Sequence, residues 1–187
     1  MKDIVLFGIQ WSGKGTQAHM LADVLAAQYT HYSPGEAFMT LTMTDNPIGN
    51  YLKDRLAVWD LLDDMVVNGM FAIYLYGVTD EGKSMMIDGY PRTLGQMQYM
   101  MWACKSRGRD MVAIYLTLPT EVAIERIHAR GRSDDTEAAI AHRLEQYFAI
   151  TFPLLDERKK HYPLITIDAQ GSVEEIHAEI MRQLEIS

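Results

Sequence analysis

The sequence predicts one domain of the α/β class, built on a parallel five-stranded sheet with helices on both faces. Strand-like apolar runs alternate with helical stretches along the chain, and such alternation requires crossovers between parallel strands. The 187 residues are enough for one full hydrophobic core, and no linker or internal repeat divides them. The predicted strands are Asp3–Phe7, Thr30–Ser33, Ser84–Asp88, Met111–Leu118 and Leu164–Asp168.

Helical patterns fill the intervals between these strands. The first helix is predicted at Gly15–Gln28, and residues 34–77 read as helical without a strand signal. The Asn-Pro pair at 46–47 marks a turn and a helix start within that stretch. A polar loop divides a later helical region into Glu121–Arg130 and Thr136–Leu155. We interpret both helical regions as inserts on one domain.

Composition excludes several classes of function. A formal net charge of −8 argues against general binding to nucleic acid or to a membrane surface. The single cysteine, Cys104, excludes a disulfide framework or a multi-cysteine zinc site, and it reads as a small apolar filler. A strand begins almost at the N-terminus and no apolar run approaches membrane-spanning length. We therefore expect a cytoplasmic protein without a signal peptide and without nucleic-acid or membrane partners. We also expect a monomer, an expectation that does not rest on composition.

The glycine-rich segment Gly8–Gln17 is the most informative stretch. It follows an apolar run and precedes a helical pattern, which is the context of a phosphate-binding loop. Glycines allow the tight turn that points successive N–H groups at one anion, and the helix start adds its positive dipole end. Lys14 would supply a mobile positive charge for the phosphates. The alternative is a strand–helix turn that binds no ligand.

A second motif begins where the strand Ser84–Asp88 ends. Asp88 fits a water-mediated Mg²⁺ contact beside a phosphate loop, although a cap on the next turn would also explain it. Pro91 fixes the backbone and so directs Arg92, whose guanidinium grips phosphate with two hydrogen bonds. Gln96 carries the paired donor and acceptor that an adenine edge requires.

Three of these points should converge in space. Gly8, Ser33 and Asp88 each stand at the carboxyl end of a predicted strand. Ligands of parallel α/β sheets bind at that edge. The sequence therefore predicts one phosphate-binding site there, covered by the two helical inserts.

These motifs together resemble the adenylate kinase family, from Gly8 to Val173. The resemblance implies reversible phosphoryl transfer between Mg·ATP and AMP or another nucleoside monophosphate. It also implies a three-layer P-loop kinase fold over residues 1–187, with a monophosphate-binding insert at about 34–77 and a minimal LID at about 130–136. The matching segments are residues 13–17, 33–36, 88–93 with Gln96, 131–136 with Arg143, and 168–173.

The same resemblance assigns roles to individual residues. Contacts to ATP are implied for Gly8, Gly13, Lys14, Gly15, Thr16, Gln17, Arg126, Arg130, Gly171, Ser172 and Val173. Contacts to the acceptor are implied for Ser33, Gly35, Gly89, Arg92, Gln96, Arg132 and Arg143. The implied catalytic residues are Lys14, Arg92, Arg126, Arg132 and Arg143. This positive set suits a reaction that needs positioning and charge neutralisation rather than a protein nucleophile.

Simpler explanations remain open for some of these residues. Asp134 and Asp135 resemble hinge carboxylates that hold the arginines, and would otherwise be part of a plain polar loop. Arg126 would otherwise lie on a solvated helix face. Residues 171–173 would otherwise be a turn with a serine cap.

The sequence departs from the family mainly around the acceptor. Met39 stands where the family has an arginine for the acceptor phosphate, and Pro34 replaces a threonine expected to touch the base. A lost charge-assisted contact of this kind weakens binding by about one to two powers of ten, so the KM for AMP should exceed that for ATP. Gln10 and Trp11 replace the usual Pro-Gly of the loop. If residue 11 needs a positive φ, tryptophan costs about 1–2 kcal/mol there, and otherwise its indole packs or stacks near the acceptor.

Three functions compete on this sequence. ATP:AMP phosphotransfer leads, because Thr93 and Gln96 favour adenine. A kinase for another nucleoside monophosphate is the first alternative. A nucleotide-binding regulatory module with little turnover is the second, and it gains weight from Met39 and Trp11.

Overall fold

A computed structural model of the chain describes residues 2–57, 60–79, 82–131 and 135–186, with the backbone but not the side chain of Arg130. Five parallel strands form one sheet, which confirms the predicted fold class. Every strand lies within one residue of its predicted bounds, because each is a short apolar or aromatic run closed by turn residues. The strands are β1 (Asp3–Gly8), β2 (Tyr29–Tyr32), β3 (Ser84–Asp88), β4 (Met111–Thr117) and β5 (Leu164–Asp168).

The strand order places β1 at the centre of the sheet. The order is β2-β3-β1-β4-β5, and Leu6 of β1 pairs with Asp88 on one side and Ile114 on the other. The chain therefore adds strands first on one side of β1 and then on the other. Such a switch point leaves a crevice at the carboxyl ends of the strands, and this is where α/β sheets bind ligands.

Helices cover both faces of the sheet. Helix α1 ends earlier than the predicted Gly15–Gln28, because residues 26–28 turn into β2. The predicted helix Thr136–Leu155 is broken, because Pro153 has no N–H to continue the helical ladder. In the described part of the chain, no helix is long and apolar enough to cross a bilayer. The helices are α1 (Lys14–Leu25), α2 (Pro34–Thr42), α3 (Pro47–Ala57), α4 (Asp64–Ile73), α5 (Leu94–Ser106), α6 (Thr120–Arg130), α7 (Glu137–Gln146), α8 (Leu154–Arg158) and α9 (Val173–Gln183), with π-helical segments at Tyr74–Val78 and Tyr147–Thr151.

Two apolar cores lie on opposite faces of the sheet, because alternate residues of a strand point to opposite sides. Val5 and the other strand residues on its face of the sheet pack against α4 and α5. Ile4 and the other strand residues on the opposite face pack against α1 and α9. Cys104 is buried in the first core, as predicted for an apolar filler, and burial raises the pKa of its thiol to about 12. The two cores hold β1 rigidly between them, and β1 leads directly into the glycine-rich loop.

A buried ion pair ties the amino edge of the sheet together. The Asp3 side chain is 1% exposed, and its two carboxylate oxygens accept from Nε and Nη2 of Arg109 at 2.8 and 2.7 Å. The same carboxylate accepts from the backbone N–H of Met85 at 2.7 Å. Asp3 therefore links β1 to β3 and to the turn before β4.

We predict that Arg109→Met lowers the free energy of unfolding by about 3–5 kcal/mol, because it leaves the Asp3 carboxylate buried without its cation. Urea denaturation followed by circular dichroism measures the change. Arg182→Met is the matched control, since the Arg182–Glu179 pair lies on the surface of α9 and its loss should change little. A loss below 1 kcal/mol in Arg109→Met would contradict the prediction. The double variant Asp3→Asn, Arg109→Met should recover part of the loss.

Candidate active site

The turn between β1 and α1 has the tight backbone that its glycines predict. A Cβ at Gly8 would lie 2.5 Å from Ser12 Oγ and 2.8 Å from the Leu116 carbonyl oxygen, so no side chain fits there. Gly13 has a φ of +90°, which side chains with a Cβ rarely adopt. The backbone N–H of Ser12 donates to the carbonyl oxygen of Ile9 at 3.2 Å. The result is a compact loop that opens directly into α1.

Lys14 is held by the loop itself. Its Nζ donates hydrogen bonds of 2.7 Å to the carbonyl oxygens of Gly8 and Ile9. Burial lowers the pKa of Lys14 to about 8, while Asp88 opposes the shift and Arg92 adds to it. An ammonium has three donors, so an anion can be bound through the third without breaking the other two hydrogen bonds.

An open cleft of about 760 Å³ lies at the carboxyl ends of β1, β2 and β3. Its size is typical of small-molecule sites. The cleft brings together residues from the loop, the start of α2, the segment after β3 and the helices α6 and α7. The sequence-predicted residues that line it are Gly13, Lys14, Gly15, Thr16, Ser33, Gly35, Asp88, Gly89, Arg92, Arg126 and Arg143.

Predicted arginines line this cleft, and a different contact orients each. Burial lowers the pKa of Arg92, Asp88 opposes that shift, and Arg143 adds to it. Positive charge is thus concentrated in one cleft of an acidic protein, which suits a ligand with several phosphates. The orienting contacts are Arg92 Nε to the Gly89 oxygen at 3.0 Å, Arg126 Nη2 to the Ala169 oxygen at 2.8 Å, and Arg143 Nη1 to Asp135 Oδ1 at 3.1 Å.

Some predicted site residues fall outside what the structure describes. Arg132 and Asp134 lie outside the described residues, as does the side chain of Arg130. The roles implied for them stay predictions.

Other residues predicted to contact ATP are described by the structure but do not line the cleft. Gln17 is buried, and its Nε2 donates to the Val173 carbonyl oxygen at 2.9 Å. Gly171 and Ser172 precede α9, where Ser172 and Glu175 cap the helix reciprocally. Gly8 lines a smaller adjoining cavity of about 50 Å³. The ATP contacts implied for these residues stay predictions.

Gln96 does not line the cleft and already has hydrogen-bond partners at both ends of its amide. It is 2% exposed, its Oε1 accepts from the Arg92 backbone N–H at 2.7 Å, and its Nε2 donates to Asp64 Oδ1 at 3.0 Å. Thr93 Oγ1 donates to the same Asp64 oxygen at 2.7 Å. A carboxamide has one more donor and one more acceptor site, so base reading would use that remaining capacity. Sequence analysis missed Asp64, although an acidic pair before an apolar run is a helix-start signal.

Asp60 also lines the cleft and was missed by sequence analysis. One carboxylate oxygen lies 3.2 Å from His142 Nε2 and accepts from Gln146 Nε2 at 3.4 Å. The other accepts from Arg55 Nη1 at 3.5 Å. These contacts join the segment after α3 to α7. A lone acidic residue in a helical insert carries no sequence signal for such a position.

Asp88 and Thr16 supply oxygen ligands of the kind that Mg²⁺ prefers. Both residues line the cleft beside Lys14. Within the described ranges, no group of three or more His, Cys, Asp or Glu could hold a metal ion by itself. The residues present therefore fit an ion whose remaining ligands are water and nucleotide phosphates. The Mg²⁺ contact of Asp88 stays a prediction.

Comparison with known proteins decides the family. The family model described as adenylate kinase matches residues 6–162, which include the loop, β3 with the motif that follows it, and α7. The chain belongs to the adenylate kinase family. The adenylate kinase of Xylella fastidiosa (strain 9a5c) is 33% identical over 183 residues, covering 95% of this chain and 96% of the relative. That of Nocardia farcinica is 32% identical over 184 residues, covering 97% and 98%.

Met39 and Trp11, the two residues that the sequence analysis singled out as departures from the family resemblance, both lie in the cleft. Met39 lies on α2, is 57% exposed and lines the cleft together with Ser33 and Gly35. Trp11 also lines the cleft, and its φ of +65° is in the left-handed region. A residue with a Cβ costs about 1–2 kcal/mol there relative to glycine. Both departures thus face the space in which nucleotides would bind.

Proposed function

We propose that the chain catalyses reversible transfer of a phosphoryl group from Mg·ATP to AMP, which gives two ADP. One observation carries the proposal: Lys14, Arg92, Arg126 and Arg143 line one cleft at the carboxyl ends of adjacent parallel strands. The bond between the γ-phosphorus and the bridging oxygen breaks, and a bond forms to an oxygen of the acceptor phosphate. The leaving oxygen carries its charge away on ADP. Fixed positive groups stabilise this transfer, since charge spreads over the phosphoryl oxygens.

The residues of the cleft have different roles according to where they lie. The loop and Lys14 hold the donor phosphates, while Arg92, in the segment after β3, faces the acceptor. Arg126 and Arg143 come from helices on either side of residues 130–136, the segment that we assign as a short LID. Residues 34–77, which contain α2, α3 and α4, form the insert that binds the monophosphate. When bound beside Asp88, Mg²⁺ would neutralise charge on the transferred phosphates.

A panel of acceptors tests this function. Purified protein is supplied with Mg·ATP and, separately, with equal concentrations of AMP, CMP, UMP, GMP and dAMP, and ADP formation is followed by a coupled assay. AMP should give the highest kcat/KM, with a KM above that for ATP. A mock purification from cells that do not express the chain measures any contaminating kinase. Faster turnover of another monophosphate would replace AMP in the proposal.

A kinase for another nucleoside monophosphate is the second candidate. One observation favours it: both ends of the Gln96 amide already have protein partners, which leaves less of the amide free to read an adenine edge. A nucleotide-binding module with little turnover is the third candidate. It would show tight ATP binding by calorimetry and no ADP with any acceptor of the panel.

The lowered pKa of Lys14 predicts a pH dependence. Because burial lowers this pKa to about 8, the free enzyme loses the ammonium charge as the pH rises through that value. The kcat/KM for Mg·ATP should therefore be full at pH 7 and fall above about pH 8. Bound phosphates favour the charged ammonium, so kcat should hold to a higher pH.

Kinetics between pH 7 and 10 measure both profiles. Lys14→Arg is the control, because a guanidinium stays charged throughout this range. The kcat/KM of that variant for Mg·ATP should not fall above pH 8. The same decline in Lys14→Arg would show that another group titrates.

A further inference from the structure

The two unusual residues of the loop both contact α7 at Arg143. The Arg143 guanidinium carbon lies 5.6 Å from the centroid of the Trp11 ring, within the range of a cation–π contact. The neighbouring Gln10 donates from Nε2 to the Arg143 carbonyl oxygen at 3.4 Å. The loop therefore contacts this residue through both its side chain and its backbone.

Arg143 needs such support because of what surrounds it. It lines the cleft with Arg92 and Lys14, and its charge lowers the pKa of Arg92. Before phosphates bind, these positive groups repel one another. Asp135 precedes α7, and its Oδ1 lies 3.1 Å from Arg143 Nη1, so it holds one edge of the guanidinium. Trp11 holds it from the side of the loop, with the negative face of an aromatic ring.

The backbone of Trp11 adds a second, independent observation. Its φ of +65° is a conformation that suits glycine and is unfavourable for a residue with a Cβ. The backbone at this position therefore does not favour a tryptophan. Its side chain contacts Arg143, a residue implied to act in phosphoryl transfer.

We propose that Trp11 is a positioning residue that holds the Arg143 guanidinium at the phosphate loop. The proposal rests on the proposed phosphoryl transfer and adds a residue to it. Arg143 is then placed before the nucleotides arrive, so less of its side-chain freedom is lost in the transition state. The donor loop and α7 are thereby coupled through one aromatic ring.

Three substitutions at position 11 separate positioning from packing. Trp11→Phe keeps an aromatic face, Trp11→Leu keeps bulk without it, and Trp11→Gly removes both the ring and the backbone strain. We expect kcat to fall about 3- to 30-fold in the leucine and glycine variants and to stay within about 3-fold in Trp11→Phe. The KM for each nucleotide should change less than 3-fold. Trp102→Leu is the matched control, because Trp102 is 63% exposed on α5 and does not line the cleft.

In Trp11→Gly, the melting temperature and kcat should change in opposite directions. Trp11→Gly relieves the left-handed backbone, so its melting temperature should rise while its kcat falls. If the tryptophan were purely structural, Trp11→Gly would lower the melting temperature and kcat together. An unchanged kcat in Trp11→Leu would overturn the proposal.

A double-mutant cycle tests whether Trp11 acts through Arg143. Arg143→Met removes the cation that the Trp11 ring holds, so Trp11→Leu should lower the residual kcat little further in that background. An equal fold-loss in both backgrounds would overturn the proposal.

Nuclear magnetic resonance tests the contact without turnover. The Arg143 Nε–Hε signal, assigned with Arg143→Lys, should carry an upfield ring-current shift that disappears in Trp11→Leu. Absence of this shift in an active enzyme would overturn the inference. Absence of turnover in the wild-type chain, with the shift present, would overturn the proposed function and leave the contact standing.

Discussion

Met39→Arg should lower the KM for AMP by about 10- to 100-fold, because it returns a charge-assisted contact to the acceptor phosphate. Met39 is 57% exposed on α2 and lines the cleft, so an arginine can extend into the cleft without displacing a core side chain. The KM for Mg·ATP should change little, since the donor loop is untouched. Initial rates at saturating Mg·ATP with varied AMP measure the effect.

Met43→Arg is the matched control for this substitution. Met43 follows the last residue of α2, is 83% exposed and does not line the cleft, so it adds the same charge outside the site. Its KM for AMP should match that of the wild-type chain. An equal drop in both variants would indicate a general electrostatic effect. No drop in Met39→Arg would mean that the cleft is built around another acceptor.

Lys14→Met should lower kcat by about 100- to 1,000-fold, because it removes a preorganised cation from the phosphates in the transition state. Methionine keeps most of the side-chain length, so the loop should retain its shape. The variant loses the two hydrogen bonds from Lys14 Nζ to the carbonyl oxygens of Gly8 and Ile9, so some loss of stability is expected as well. Steady-state rates with AMP, and the melting temperature, separate catalysis from stability.

Lys105→Met is the control for loss of a lysine charge. Lys105 lies in the last turn of α5 and does not line the nucleotide cleft. We expect its kcat to stay within about 2-fold of the wild-type value, as for most surface substitutions. A loss below 10-fold in Lys14→Met would be inconsistent with the assigned role of the loop.

The fold follows from the sequence to a large extent, and particular elements explain why. Strands such as Met111–Thr117 are apolar runs between turn residues, and that pattern leaves few alternatives. The strand Tyr29–Tyr32 has only one fully buried residue, but turn signals still located it to within one position. The ends of helices were predicted less accurately than the strands. Two helices end at Leu25 and Gln146, although the apolar periodicity of the sequence continues beyond these residues.

Site residues that belong to a contiguous sequence motif could be predicted. Site residues that meet only because distant elements pack together could not. Lys14, Arg92 and Asp88 belong to contiguous motifs, and the parallel sheet brings those motifs to one edge. Asp64, in contrast, meets Gln96 only because α4 packs beside α5. No local pattern encodes that contact. The partner of Trp11 was equally hidden, because 132 positions separate it from Arg143 along the sequence.

The contacts of Asp60 have a consequence for how nucleotides enter and leave. They form one wall of the cleft, between the segment after α3 and α7, through partly exposed side chains of His142, Gln146 and Arg55. The Arg55–Asp60 ion pair is partly exposed, and such pairs contribute about 1 kcal/mol or less. The contacts of Asp60 with His142 and Gln146 are single hydrogen bonds at 3.2 and 3.4 Å. Incoming phosphates and bases can exchange their own contacts for these. Breaking these contacts to admit a nucleotide on this side of the cleft would therefore cost little free energy.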